Sequence, residues 1–212
     1  MRLTKLGHAC VRLEKNGATL VIDPGAWSGP DALAGARAVL VTHEHPDHLD
    51  VDALRAALTA GGDLELYANP SVAGQFADFG GRVHAVEHGD VVRAAGFDVH
   101  VYGREHARIL PEVPLIANTG FAVDGEVFHP GDSFTVPEDP VRTLLLPVSA
   151  PWMKFAEAQA YAREVGPERG YAIHDAILSP QGTGLISMLL GVASKAGGAE
   201  LSRLEPGTTV DL

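Results

Sequence analysis

Short apolar runs alternate with polar turns along this chain, and the spacing inside each run separates strand from helix. Leu3 to Leu13 and Thr19 to Ile22 read as two strands joined at Lys15-Asn16-Gly17, whose Asn-Gly pair favours positive φ, so the chain opens on a hairpin. Ala38 to Thr42 is short, continuous and β-branched, as expected of a strand covered on both faces. From Asp50 to Thr59 the period lengthens, with Val51, Leu54 and Leu58 on one side of a helix that Gly61-Gly62 stops. The alternation continues with a strand Leu64 to Ala68, a helix Ser71 to Phe79 closed by Gly80-Gly81, and strands at Val83 to Val86, Val91 to Ala94 and Phe97 to Tyr102. Two strands flank Asp124-Gly125 between Ile116 and Phe128, and Arg142 to Pro147 is again a fully covered strand. A helix over about 154–165, a strand Tyr171 to Ile173 and a helix over about 185–195 complete the series. Hairpins mixed with βα units predict an α/β fold with two sheets packed face to face and helices outside, in a single domain over residues 1–212.

The composition narrows the partners more than the fold. Of 212 residues, 46% are apolar and 20% charged, which suits one packed core. The opening residues carry charge every few positions and lack a signal-peptide core, and no apolar stretch approaches the roughly 20 residues of a membrane span. Cys10 is the only cysteine, so no internal disulfide can form; this fits a reducing cytoplasm, and Cys10 itself reads as a small buried apolar residue. A net charge of −11 without a basic cluster repels a phosphate backbone, which speaks against nucleic acid and for a small-molecule substrate.

The chemistry concentrates where the buried strand ends. His43, His45, Asp47 and His48 stand within six positions, directly after Thr42. Residues two apart in extended chain point the same way, so His43 and His45 can aim at one ion. Pro46 discourages helix and encourages a turn, which lets Asp47 and His48 project toward a second. Zinc in catalytic sites usually takes three protein ligands and leaves a place for water, so further ligands must come from elsewhere. His106, Asp132 and His174 qualify, each expected just past the C-terminal end of a strand. His100 is a rival to His106 but falls in mid-strand between Val99 and Val101, while His84, His88 and His129 read as surface or strand-end residues. Trp27, Trp152 and Lys154 could wall or charge a substrate pocket, although packing accounts for the tryptophans and an exposed helix start for the lysine.

With these residues in view, the chain resembles the metallo-β-lactamase superfamily, and within it the small metal-dependent hydrolases similar to the ascorbate-6-phosphate lactonase group. The resemblance rests on Leu6 to Cys10, Asp23-Pro24, the His43 to His48 motif, His106, Gly131-Asp132 and His174, in the family order. It implies a four-layer αββα sandwich with two metals at one edge. His43, His45 and His106 would hold the first, Asp47, His48 and His174 the second, and Asp132 would bridge them. His8 and Asp23 match family positions expected to support the site, with Asp23 bracing the loop. Ligands without a thiolate suit zinc, with manganese or iron as alternatives. Two ions roughly 3.5–4 Å apart can orient a bridging hydroxide formed near neutral pH. The expected activity is therefore hydrolysis of a small ester, lactone or phosphorylated substrate, with Asp47 holding the nucleophile's proton. The competing readings are a phosphodiesterase or nuclease of the same fold and a non-catalytic metal-binding scaffold. The large extra domain of the RNA-processing nucleases does not fit in this length, and the flavin-bearing oxygen reductases need a Glu where His45 stands.

Overall fold

A computed structural model describes residues 1–212. Two seven-stranded sheets are each antiparallel in one half and parallel in the other. In the first, β1 (Arg2–Lys5), β2 (Val11–Lys15) and β3 (Ala18–Ile22) form an antiparallel meander, and β4 (Ala38–Val41), β5 (Glu65–Ala68) and β6 (Val83–Ala85) continue it in parallel. In the second, β7 (Val91–Ala94), β8 (Phe97–Tyr102), β9 (Gly120–Val123) and β10 (Val127–His129) are antiparallel, followed by the parallel β11 (Thr143–Pro147), β12 (Arg169–Ile173) and β13 (Glu200–Ser202). The last strand, β14 (Thr209–Asp211), returns to pair with β1.

Alternation along the covered strands builds the layers. In β4, Ala38 and Leu40 join the core between the sheets, while Val39 and Val41 face the layer that contains Leu54 and Leu58 of α1 (Val51–Thr59) and Val72 of α2 (Pro70–Gly74). On the far side, Leu144 and Leu146 of β11 pack with Ala158 and Tyr161 of α3 (Phe155–Val165) and Ile186 and Leu190 of α4 (Pro180–Gly197), while Leu145 points into the central core. The result is the four-layer αββα sandwich expected from the sequence. No helix is long and apolar enough to cross a membrane.

The expected elements differ from the observed ones where turn chemistry outweighs periodicity. The strand expected over Leu3 to Leu13 is two strands, because Leu6 N–H closes a turn on the Cys10 carbonyl at 2.8 Å. Gly7 is required at its tip, since a Cβ there would lie 2.5 Å from the Trp27 carbonyl oxygen. The helix expected from Ser71 to Phe79 is the short α2 followed by a 3-10 helix over Ala77–Arg82, with Gly80 at φ +59°. The final helix starts at Pro180 rather than Leu185: Ser179 accepts the Gly182 N–H at 3.1 Å and Pro180 supplies the fixed φ of a first helical position, which offsets two glycines in the first turns. The three-residue strands β13 and β14 carry no apolar run that could announce them.

One buried polar cluster ties the start of the chain to its end. The Lys5 ammonium, 1% exposed, donates to Asp175 Oδ1 at 2.7 Å and to the Ala172 carbonyl at 2.8 Å, and Arg203 Nε donates to Asp175 Oδ2 at 2.6 Å. Removing one partner of a buried pair leaves an uncompensated charge, which costs about 3–5 kcal/mol. Asp175→Ala is expected to cost about that much in urea unfolding, because it strands the Lys5 charge; Lys5→Met should cost less, because Asp175 keeps Arg203. Cys10 is fully buried and its thiol is pushed up to about 12 by that burial. Thiol reagents should therefore leave the native protein unlabelled at neutral pH and react with one thiol per chain only above the urea midpoint.

Candidate metal centre

The functional side chains gather where loops leave the C-terminal ends of β4, β8, β10 and β12. The loop after β4 is held from beneath by the segment after β3. Ala26 N–H donates to the Pro46 carbonyl at 2.7 Å, and Asp50 N–H donates to that of Pro24 at 3.0 Å. The two segments pack so closely that a Cβ on Gly25 would meet the Asp47 carbonyl oxygen at 2.0 Å.

Asp23 organises this loop. It is fully buried, adopts φ +51°, and accepts three hydrogen bonds: from Thr42 N–H at 2.8 Å, from the Thr42 hydroxyl at 2.7 Å, and from His48 Nδ1 at 2.6 Å. Because its hydroxyl hydrogen goes to Asp23, Thr42 Oγ1 is left to accept from His43 Nδ1 at 3.0 Å. Both histidines are thereby oriented with Nε2 toward the same space. His106 and His174 obey the same rule with backbone acceptors, their Nδ1 atoms lying 2.5 Å from the Ala107 and Ser149 carbonyl oxygens. Such partners fix tautomer and ring orientation in metal-binding histidines.

All seven residues expected as ligands come together here. Nitrogens of His43, His45 and His106 lie within 4.8 Å of one another, and ligand atoms of Asp47, His48 and His174 form a second group of the same tightness that also includes His8. Asp132 stands between them, with Oδ1 at 3.0 Å from His48 Nε2 and Oδ2 at 3.3 and 3.0 Å from His106 and His174 Nε2. His48, His106 and His174 Nε2 and Asp132 Oδ1 are buried without a hydrogen-bond partner. Burial lowers the pKa of His43 and His45, which keeps their lone pairs available; burial would lower that of His48 too, but the Asp132 and Asp23 carboxylates raise it well above the usual range, so a cation there would displace a proton from Nε2. Burial alone would raise the Asp132 carboxyl, but the charge of His48 and the His106 and His174 imidazoles beside it hold it well below the usual range.

His8 sits in the second group without being free to ligate. Its Nδ1 accepts the Ala176 N–H at 3.1 Å, so the proton is on Nε2, which lies 3.3 Å from Asp47 Oδ2. Its backbone carbonyl also accepts the His174 N–H at 2.9 Å and helps hold that residue at φ +59°, a conformation that a β-substituted residue adopts only under constraint.

The remaining candidates separate cleanly. Lys154 is exposed at the start of α3, where its N–H donates to Glu157, and no hydrogen bond or ion pair joins its ammonium to the cluster. His100 is half-exposed and pairs with Asp139 at 3.2 Å. His84 stacks on Tyr67, and His88 accepts the Gly103 N–H. His129 does end a strand, but it is buried rather than on the surface, bridging the Gly131 N–H and the Ala9 carbonyl. Two supports play roles that the sequence does not show. Trp152, read as packing, donates its indole N–H to Asp132 Oδ2 at 3.0 Å, and Asn118 receives the Asp132 N–H at 3.0 Å while donating to the Pro130 carbonyl at 2.9 Å. Trp27 is half-exposed, with its ring edge-on to His8.

A beta-lactamase superfamily domain matches residues 2–174. The chain belongs to the metallo-β-lactamase superfamily. The Mycobacterium tuberculosis protein Rv0786c is 40% identical over 191 residues, covering 87% of this chain and 89% of its own. A UPF0173 metal-dependent hydrolase of Methanopyrus kandleri is 31% identical over 148 residues, or 63% of this chain and 62% of its own. Among solved structures, the metallo hydrolase Igni18 of Ignicoccus hospitalis superposes with a TM-score of 0.76 at 22% identity, over 99% of this chain and 97% of its own, and so shares the fold.

Asp23→Asn keeps the shape but turns one acceptor oxygen into a donor against three buried donors. It is expected to cost about 1–3 kcal/mol in urea unfolding and to weaken metal retention roughly 10- to 100-fold, read by competition with a chromogenic chelator.

Proposed function

We propose that this chain, a metal-dependent hydrolase of the metallo-β-lactamase superfamily, works with two divalent ions on a small ester, lactone or phosphorylated substrate. His43, His45 and His106 would hold one ion, Asp47, His48 and His174 the other, with Asp132 shared. The observation that carries this reading is that the buried Nε2 atoms of His48, His106 and His174 and the Oδ1 atom of Asp132 gather in one place, none with a hydrogen-bond partner. Buried polar atoms in folded proteins are almost always satisfied, so four orphans aimed at one space call for a cation. Imidazole and carboxylate donors without a thiolate suit zinc, and also manganese or iron.

When bound, two such ions make water a nucleophile near neutral pH and polarise the oxygen of the bond to be cut. The protein's own groups do the rest. Asp23, Thr42, Ala107 and Ser149 keep the ligand histidines in one tautomer and one orientation. Burial alone would raise the Asp47 carboxyl, but His8 Nε2 at 3.3 Å and the neighbouring His48 and His174 imidazoles bring it to about 2, so it is ionised at neutral pH. Its carboxylate can accept a hydrogen bond from the attacking water and orient it, while His8 Nε2–H lies 3.3 Å from Oδ2 and attracts it.

Protein purified without a metal-affinity tag is expected to carry about two equivalents of zinc, manganese or iron by mass spectrometry. Asp47→Asn and His45→Ala lie on opposite sides of the cluster and are only half-buried, so the fold should tolerate both. Each is expected to reduce the metal content and abolish turnover of activated esters. A native protein that holds no metal and takes none up on reconstitution would overturn the reading in favour of a scaffold.

A further inference from the structure

The segment between β8 and β9 carries His106 and then an apolar tip that the fold does not need. Its base is a narrow ribbon, in which His106 N–H donates to the Ile116 carbonyl at 3.0 Å and Asn118 N–H to that of Arg104 at 3.2 Å. Beyond this base the tip turns aliphatic side chains to solvent: Leu110 is 54% exposed, Val113 39% and Leu115 38%. Surface loops are ordinarily polar, and a cluster of exposed aliphatics marks a binding surface. Under the tip lies a cavity of about 190 Å³, walled by Ile109, Val113, Leu115 and Ile116 and closed on one side by the rings of His45 and His106. No lysine, arginine, aspartate or glutamate lines it. Its size corresponds to roughly six water volumes, enough for a short acyl chain or a phenyl ring. A phosphate or carboxylate seated among these aliphatic side chains would be desolvated with no lysine or arginine to meet it.

We infer that this pocket beside His45 and His106 takes the uncharged apolar acyl group of the substrate, so that the substrate is a neutral carboxylic ester or lactone rather than a phosphorylated metabolite. The inference rests on the hydrolase reading and narrows it. The balanced reaction needs only water: its oxygen bonds to the carbonyl carbon, the carbon–oxygen bond to the leaving group breaks, and the alcohol departs with a proton, leaving the carboxylic acid. Seating the acyl group against His45 and His106 puts its carbonyl at the metal cluster and the leaving group toward solvent.

The test compares p-nitrophenyl acetate, butyrate and hexanoate with p-nitrophenyl phosphate and bis-p-nitrophenyl phosphate, using the metal-loaded protein. Butyrate is expected to exceed acetate in kcat/KM by roughly tenfold, the effect of two buried methylenes, with the phosphate compounds far below both. Val113→Asp should bring the butyrate-to-acetate ratio close to one, and Val113→Thr, which keeps the shape, should lower it in part. Independently of activity, hexanamide titrated into metal-free protein should shift the methyl resonances of Val113, Leu115 and Ile116. Preference for a phosphate compound, a flat ester series, or a ratio indifferent to Val113→Asp would overturn the inference. So would conversion of a dimer to a monomer by Val113→Asp with the ratio unchanged, which would make the tip a contact between copies. Methyl shifts without turnover of any compound would uphold the pocket and sink the hydrolase reading, whereas turnover without methyl shifts would do the reverse.

Discussion

A buried carboxylate that faces neither solvent nor the open side of the cluster holds the centre together. Asp23 accepts both donors of Thr42 and the Nδ1 proton of His48, and so sets the direction of His43 and His48 at once. A carboxylate without solvent is tolerable only when protein donors replace the water, and here three short hydrogen bonds do so. The position also requires a left-handed backbone at Asp23, which the closely packed Pro24–Gly25 segment enforces. Thr42 extends the constraint across the sandwich: its carbonyl oxygen receives Asn69 Nδ2 from the first sheet's side and Thr119 N–H from the second. The two half-structures therefore meet at the residue that begins the His43 to His48 loop.

Sheet topology explains why the cluster can form from such distant segments. β8, β10 and β12 run in one direction, because β8 and β10 are both antiparallel to β9, and β12 follows β11 in parallel. Their C-terminal ends share one edge, and that edge faces the loop after β4. The Lys5–Asp175–Arg203 cluster then secures the chain just beyond His174, so that residue's left-handed backbone is held from both sides. Rigidity around a set of unsatisfied donors and acceptors is what a metal site needs before any metal arrives.

Much of this was legible in order but not in depth. His43 to His48 stand out because four metal-capable side chains crowd one loop, and the strand ends could be read well enough to single out His106, Asp132 and His174. His8 looked like a supporting residue, and the structure explains how: the Ala176 N–H decides its tautomer, a fact that belongs to a residue 168 positions away. Trp152 read as packing or a pocket wall, and Asn118 drew no reading, because a single indole or amide hydrogen bond has no periodic signature. Lys154 stayed open between a pocket residue and an exposed helix start, since a charge at the start of a helix near strand ends looks the same in sequence either way; the structure places it exposed. The apolar tip at Ile109 to Ile116 went unremarked because its residues follow neither strand nor helix spacing.

The sequence by itself determined the alternation of strands and helices, the two-sheet architecture, and the identity of the side chains able to bind metal, because each of these is written in local spacing or in side-chain chemistry. Only the tertiary structure decided which nitrogen of each histidine is free, which carboxylate braces and which faces the centre, and that an uncharged pocket opens beside His45 and His106. Those choices are made by hydrogen-bond partners and neighbours far along the chain, and a proton on an imidazole goes where the nearest fixed acceptor lies.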